Sequence, residues 1–178
     1  MELLNAKEIK IICNRLACQL IENHHDFSHT VLVGMQPRGV FFAERIKNIL
    51  ETQYSIPKIS LGYLDITFFR DDFRSAKKPF EANKTEMDFI VDNKKVVFID
   101  DVLYTGRSIS AALTAIQSFG RPSEIELMVL IDRRFSRHLP IQPDYRGRQV
   151  DAINDEKVKV CWTENDGIDS VLLLKKSH

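Results

Sequence analysis

The chain has 178 residues, 44% hydrophobic and 28% charged, with 25 Lys and Arg against 25 Asp and Glu and a formal net charge of zero. That length holds one domain with a real core and is short for two; the charge balance gives no global sign of a nucleic-acid or anionic-membrane partner and leaves only a local basic face open. No apolar run approaches the ~20 residues of a membrane span, and MELLNAKEIK lacks a secretory-signal layout. Cys13, Cys18 and Cys161 have neither zinc spacing nor an even count, so a reduced, cytoplasmic protein is expected.

Ile9, Ile12, Cys13, Leu16, Ala17, Leu20 and Ile21 recur at helical spacing and predict an amphipathic helix over 6–23. Asn5 can cap it, with Glu8 completing a capping box. Residues 30–35 (TVLVGM) read as a short buried strand, which runs through Gln36, Pro37, Arg38 and Gly39 into a helix over 40–51. Residues 58–69 read as one or two strands around Gly62, and 70–93, charged and poorly periodic, as a mobile loop or hairpin. A strand over 95–99 and a helix over 108–119 follow, with Gly120 as C-terminal cap and Pro122 beyond. Further strands are predicted over 125–131, 158–162 and 170–174. Strands alternating with helices argue for an α/β fold, a central parallel sheet covered on both faces. Ligands in such folds sit at the carboxyl ends of the strands. Asp100 and Asp101 fall there, as do Gln36 to Gly39, so the two strand ends are expected to share one crevice.

The central motif is VVFIDDVLYTGRS, residues 96–108. Two adjacent carboxylates at the end of a buried strand repel each other and lose hydration. The turn after them, Tyr104 to Ser108, leads into a helix, where outward N–H groups and the helix dipole suit a phosphate. Thr105 and Ser108 add hydroxyls, and Gly106 lets the backbone approach closely. The spacing is neither that of a P-loop nor that of GxGxxG. With a phosphate held there, a sugar would lie over Asp100 and Asp101. These could accept from vicinal hydroxyls, attract Mg²⁺ and offset positive charge developing on a ribose ring. A bare Asp-Asp pair would be read as a strand end; the flanking apolar run, the turn and the helix favour the functional reading.

FIDDVLYTGRS resembles the phosphoribosyl-pyrophosphate motif of type I phosphoribosyltransferases. The resemblance is closer to one branch, the bifunctional pyrimidine-operon attenuation proteins/uracil phosphoribosyltransferases. VLVGMQPRGVFFAERI resembles that branch's pyrophosphate loop and following helix, and LGYLDITFFRDDF its LDIT-x-x-RDD segment. GRPSEIELMVLIDRR and LPIQPDYRGRQV resemble its base-side region. The resemblance runs nearly end to end and in order.

It implies a single phosphoribosyltransferase domain over 1–178, with a central parallel sheet, flanking helices and a small base-binding hood. It implies transfer of a phosphoribosyl group from phosphoribosyl pyrophosphate to uracil, giving UMP and pyrophosphate with Mg²⁺, through an oxocarbenium-like transition state. Asp100 and Asp101 would hold the ribose hydroxyls and, through water or substrate, the metal. Val102, Leu103, Tyr104, Thr105, Gly106, Arg107 and Ser108 would form the phosphate segment. Gln36, Pro37, Arg38 and Gly39 would hold pyrophosphate, with Arg70 reaching it from the loop. Uracil would lie near Asp132, Arg133 and Val150. Purine-specific branches carry an aspartate where Tyr104 stands, and an aromatic there suits a pyrimidine. The first-helix cysteines Cys13 and Cys18 are expected in the core, the five histidines on the surface or in loops, and Lys77, Lys78 and Lys84 in solvent. A homodimer or larger oligomer is implied as well.

The resembled branch also binds mRNA leaders, and Arg15, Arg133, Arg134, Arg137, Arg146 and Arg148 supply cations for that. The chain departs from the branch at three points. Pro37 stands where RNA-binding members carry threonine, Cys18 where they carry histidine, and DRRFSRHLPIQ where they read DRGHRELPIR. A UMP-responsive RNA-binding regulator, a nucleotide sensor without activity and an orotate enzyme are the alternatives to uracil transfer.

Overall fold

A computed structural model describes residues 1–70, 84–152 and 156–175. In chain order the elements are β1 (Glu2–Asn5), α1 (Ala6–His24), β2 (Thr30–Met35), α2 (Gly39–Thr52), β3 (Ser60–Leu64), β4 (Lys95–Leu103), α3 (Arg107–Ala115), β5 (Glu124–Arg133), β6 (Tyr145–Val150), β7 (Glu156–Cys161), α4 (Thr163–Asp166) and β8 (Ser170–Lys175). Short 3-10 turns follow β3 and α3, at Thr67–Phe69 and Ile116–Phe119.

The apolar runs form a five-stranded sheet in the order β3-β2-β4-β5-β6, parallel throughout. Strand alternation sends β4 side chains to two cores. Val97 and Ile99 pack with Leu16 of α1 and Phe42 and Ile46 of α2. Val96 and Phe98 pack with Ile109, Ala112 and Ala115 of α3. Burial on both faces is why these strands read as unbroken apolar runs. A parallel sheet covered by helices on both faces is the architecture that the resemblance implies.

The predicted capping box of α1 is present: the Asn5 side chain accepts from the Glu8 N–H at 3.0 Å, and Glu8 accepts from the Asn5 N–H at 2.9 Å. The predicted stretch over 58–69 is one strand, β3, and a 3-10 turn. Of the expected loop or hairpin over 70–93, residues 71–83, with Lys77 and Lys78, lie outside the described residues. Glu86 pairs with Tyr63 in an isolated antiparallel bridge on β3. Lys84 is exposed, as expected.

A second sheet, β1-β8-β7, is antiparallel and joins segments from both ends of the chain. Trp162, fully buried after β7, stacks on Phe42 with ring centroids 5.9 Å apart. The Arg45 guanidinium of α2 lies 4.8 Å over the Trp162 ring. Arg45 also donates to both Asp169 oxygens at 2.6 and 2.8 Å and to Glu164 at 2.7 and 3.1 Å. This forked clamp fixes the small sheet to the helix that begins at the site.

Two expectations fail. His24 is not on the surface: its ring is buried, with Nε2 2.8 Å from Glu126 and 3.1 Å from the Tyr145 hydroxyl and Nδ1 2.9 Å from the Thr30 hydroxyl. Those partners satisfy a ring that apolar packing alone would exclude. Cys18 is half-exposed rather than core, its Sγ 2.9 Å from the Tyr54 hydroxyl. Cys13 is buried as expected, and burial pushes its thiol up to about 12.

Burial acts to raise the Asp169 carboxyl, but hydrogen bonds from Arg45 and Thr163 outweigh it and hold it below the usual range. A depressed folded-state pKa stabilises the fold above the unfolded value, and that stability is lost as pH falls through the folded one. Arg45→Met is expected to lose about 2 kcal/mol at neutral pH. Its thermal stability should also fall less steeply below about pH 4 than that of the parent. Melting curves from acid to neutral pH check this, and parallel acid limbs would remove Asp169 from the account.

Candidate active site

The parallel register brings the carboxyl ends of β2, β3, β4, β5 and β6 to one edge, where Gly34 pairs with Ile99, Leu103 with Asp132 and Arg133 with Val150. A cavity of about 380 Å³ opens there between Arg38, Asp65, Thr67, Arg70 and the Asp100–Asp101 pair. A second, of about 360 Å³, adjoins it between Arg70, Asp100, the turn 104–108 and His138. Arg70, Asp100, Val102 and Ser108 line both, so the two form one crevice.

Asp100 and Asp101 end the buried run of β4 and are half-buried. The Asp100 carboxylate accepts the Asp101 N–H at 2.9 Å. Burial, and then the charge of Asp101, push the Asp100 carboxyl well above its ordinary range. Burial raises Asp101 too, while Arg38 opposes the shift from 3.9 Å. A cation arriving beside the pair would relieve both effects.

Gln36, Pro37, Arg38 and Gly39, expected to hold pyrophosphate, link β2 to α2, with a cis bond between Gln36 and Pro37. Gln36 is tied down twice, its N–H donating to the Leu64 carbonyl at 2.9 Å and its side chain to the Lys84 carbonyl at 3.4 Å. Gly39 has a steric reason: a Cβ would sit 2.6 Å from the Ile99 carbonyl oxygen and 3.0 Å from the Asp100 Cα. Only glycine lets α2 start this close to β4. Arg38 points between the two sheets, donating to the Val160 carbonyl at 2.8 Å and to Asp166. Asp166 was missed from sequence because it lies far along the chain, on the small sheet's side.

The turn after β4 is built as expected. Gly106 has φ +90° and is buried against Leu139 and Ile141, and α3 starts at Arg107, one residue earlier than predicted. Thr105 and Ser108 are half-buried beside the cavity, Val102 is half-buried and Leu103 is buried in the α3-side core. Arg70 lines both cavities. Beside it Asp65, unassigned from sequence, accepts the Thr67 N–H at 2.9 Å and hydroxyl at 2.6 Å and so shapes the floor.

Asp132, Arg133 and Val150 lie together at the β5–β6 edge, all buried. The Arg133 guanidinium covers the Tyr104 ring at 4.0 Å and donates to the Glu156 carbonyl at 3.1 Å. Asp132 has both oxygens engaged, one by Arg137 at 2.5 Å and one by Arg146 at 3.2 Å. Its carboxylate is therefore a structural acceptor.

Among the described residues no group of three or more His, Cys, Asp or Glu is placed to hold a metal, and no helix is long and apolar enough to cross a membrane. Two hard oxygen donors at a strand end fit Mg²⁺ when a bound diphosphate supplies most of the remaining ligands.

The phosphoribosyl transferase domain model matches residues 1–164. The protein called bifunctional protein PyrR from Gloeothece citriformis is 45% identical over 175 residues, 98% of this chain and 97% of its own length. That of Halalkalibacterium halodurans is 40% identical over 177 residues, 98% of this chain and 97% of its own. A hypoxanthine phosphoribosyltransferase from Staphylococcus aureus superposes with a TM-score of 0.71 over 96% of this chain and 90% of its own, at 22% identity. One from Trypanosoma cruzi gives 0.71 over 99% and 97%, at 13% identity, a likeness of fold alone. Sequence, fold and strand-end geometry agree: the chain belongs to the phosphoribosyl transferase family and, within it, to the bifunctional PyrR group.

Proposed function

We propose that the chain transfers the 5-phosphoribosyl group of phosphoribosyl pyrophosphate to uracil, yielding UMP and pyrophosphate. One observation carries this reading: the Asp100–Asp101 pair lies in a crevice with Arg38 on one side and the turn 104–108 on the other. That order of anion, carboxylate and anion sites supports a ribose with a phosphate at each end as the ligand.

In this reading Thr105 to Ser108 hold the 5′-phosphate through backbone N–H groups and hydroxyls. Asp100 and Asp101 accept from the ribose 2′- and 3′-hydroxyls. Gln36 to Gly39 and Arg38 hold the pyrophosphate, and Arg70 approaches it. As the C1′–oxygen bond breaks, its electron pair leaves with pyrophosphate and positive charge grows on the ring. The two carboxylates stabilise that charge. Uracil N1 then bonds to C1′, and its proton passes to the released pyrophosphate. Mg²⁺, held against the carboxylate pair with the substrate, would neutralise the departing diphosphate. The Tyr104 ring, backed by Arg133, forms a flat wall for a pyrimidine, with Val150 nearby. Residues 1–178 are read as one domain of a cytoplasmic homo-oligomer, with the β1-β8-β7 sheet as its hood.

A second reading has its own observation. Arg133, Arg134, Arg137 and Arg146 line a separate cavity of about 270 Å³ with Gln142 and Gln149. Beside them Phe135 is 81% exposed and sits at φ +67°, which is strained for an aromatic residue. Cations around an exposed ring suit phosphate and base stacking of a single-stranded RNA. UMP-dependent binding of an RNA leader would then accompany catalysis.

The first test supplies phosphoribosyl pyrophosphate and Mg²⁺ with uracil, orotate, hypoxanthine or guanine in turn. UMP from uracil alone is expected. Product from another base reassigns the acceptor, and no nucleotide from any base, with UMP still binding, favours the sensor. Asp100→Asn and Asp101→Asn are each expected to lower kcat/KM for phosphoribosyl pyrophosphate by about 10²-fold or more. Because Asp100 titrates above the ordinary range, activity should fall on acidification at a higher pH than a free carboxylate would give. Asp101→Asn removes the like charge, so the acid limb that remains should move to lower pH; a limb that moves upward counts against the pair. For the RNA reading, affinity for a single-stranded RNA should fall steeply with salt. Salt-independent binding counts against it.

A further inference from the structure

We infer that Arg137, held by Asp132, is a positioning residue that aims the phosphate-binding backbone of the turn 104–106. The inference rests on the 5′-phosphate assignment proposed above.

Each peptide unit is planar, and in the trans form its C=O and N–H point to opposite sides. Fixing a carbonyl therefore fixes the direction of the next residue's N–H. Arg137 donates to the Tyr104 carbonyl through Nη1 and to Asp132 through Nη2 at 2.5 Å. The next carbonyl, that of Thr105, accepts from the His138 N–H at 2.9 Å and the Leu139 N–H at 3.3 Å. The third, that of Gly106, accepts from the Ser110 N–H at 3.0 Å as α3 begins. The first two carbonyls are thus drawn towards the segment 137–139. The N–H groups of Thr105 and Gly106 consequently face the other way, as a phosphate cradle requires. Leu139 and Ile141 close on Gly106, so the same segment also packs beneath the turn.

Asp132 makes the strut rigid. It lies on β5 opposite Leu103, the last residue of β4, and its side chain is only 5% exposed. A buried carboxylate bonded to two guanidinium groups is held firmly, and it holds them in turn. Arg146 of β6 takes its second oxygen at 3.2 Å. The chain of contacts runs from the β5 end through Asp132 and Arg137 to the Tyr104 carbonyl. Arg137 touches the turn's backbone on the side away from its N–H groups, so its effect on a phosphate is exerted through the peptide planes.

The test measures two small ligands by calorimetry on the full chain, ribose 5-phosphate and inorganic pyrophosphate, in parent, Arg137→Ala and Asp132→Asn. Ribose 5-phosphate should bind about tenfold more weakly to Arg137→Ala, and pyrophosphate, which needs Gln36 to Gly39, less than about twofold more weakly. Added guanidinium ion should restore ribose 5-phosphate binding in Arg137→Ala. Asp132→Asn should weaken the same ligand, and the double variant should lose no more than the worse single one, because both act through one contact chain. Equal losses for both ligands would mean general loosening and overturn the inference, as would parent-like affinity for ribose 5-phosphate in both variants. Should Arg137→Ala not fold, Asp132→Asn carries the same two-ligand comparison. If the parent binds pyrophosphate but not ribose 5-phosphate, the phosphate-loop assignment itself is wrong and the inference falls with it. That result is distinct from one in which the parent binds both and the variants match it.

Discussion

Two carboxylates on successive residues at the end of a buried strand form an arrangement that folding alone would not favour. Like charges repel, and each loses hydration. The rest of the crevice can be understood as a response to that pair. Arg38 approaches Asp101 to 3.9 Å, and the Asp101 N–H closes on Asp100 at 2.9 Å, yet both carboxyls stay above their ordinary range. The compensation is incomplete, which leaves the pair receptive to hydroxyl donors and a cation. Placing it at the middle strand of five gives it neighbours on both sides: β2 supplies the loop with Arg38, and β5 supplies Asp132 and Arg133.

The small sheet has a direct part in this electrostatics. Asp166 and the Val160 carbonyl both accept from Arg38, so its guanidinium is shared between the hood and the Asp pair. Hydrogen bonding from the Trp162 backbone, with Arg38 and Lys159 nearby, holds the Asp166 carboxyl below the usual range against the opposing effect of burial. Asp166 therefore stays charged and keeps its claim on Arg38. The Arg45 clamp holds Trp162, and with it the Asp166 turn, against α2, the same helix that starts at Gly39. In the proposed reaction, pyrophosphate would draw Arg38 from two competing acceptors. The grip on the leaving group would then be set in part by the hood.

How much of this could be read from the sequence follows from where the partners lie. β4, its carboxylates and the turn 104–108 were legible because the signal is local: an apolar run, a glycine that needs positive φ and a helix start fall within thirteen residues. Gln36 to Gly39 were legible for the same reason. β6 was not predicted as a strand, because only Tyr145 and Val150 of its six residues are buried and neither period shows. β1 is four residues long and exists by pairing with β8 at the other end of the chain. His24 was misjudged since Glu126 and Tyr145, which satisfy its ring, are more than a hundred positions away. Asp166 and Arg137 were missed as site residues for the same physical reason, since each acts through a contact that only the tertiary fold creates; the contact of Asp65 with Thr67 is local, and what the sequence hides is its place beside the cavity.

The arginines of the base-side region illustrate how far a charge count can mislead. The sequence offers six cations for an RNA-facing set, but most have inward obligations. Arg15 donates to the carbonyls of Arg146 and Gly147, Arg148 to that of Leu3, and Arg133 covers Tyr104. Arg137 and Arg146 share Asp132, and Arg134 is paired with Asp151 at 2.5 Å. An exposed pair such as Arg134–Asp151 contributes little to stability and exchanges readily for a phosphate. The buried Asp132 pairing does not, because withdrawing Arg137 would leave a carboxylate short of a partner in a low-dielectric setting. A polyanion on this face would therefore engage Arg134 and the outer edge of Arg146 first. Arg137 would remain with the Tyr104 carbonyl, so in the proposed reading the two faces of the segment 132–141 would serve different ligands without competing for the same cation.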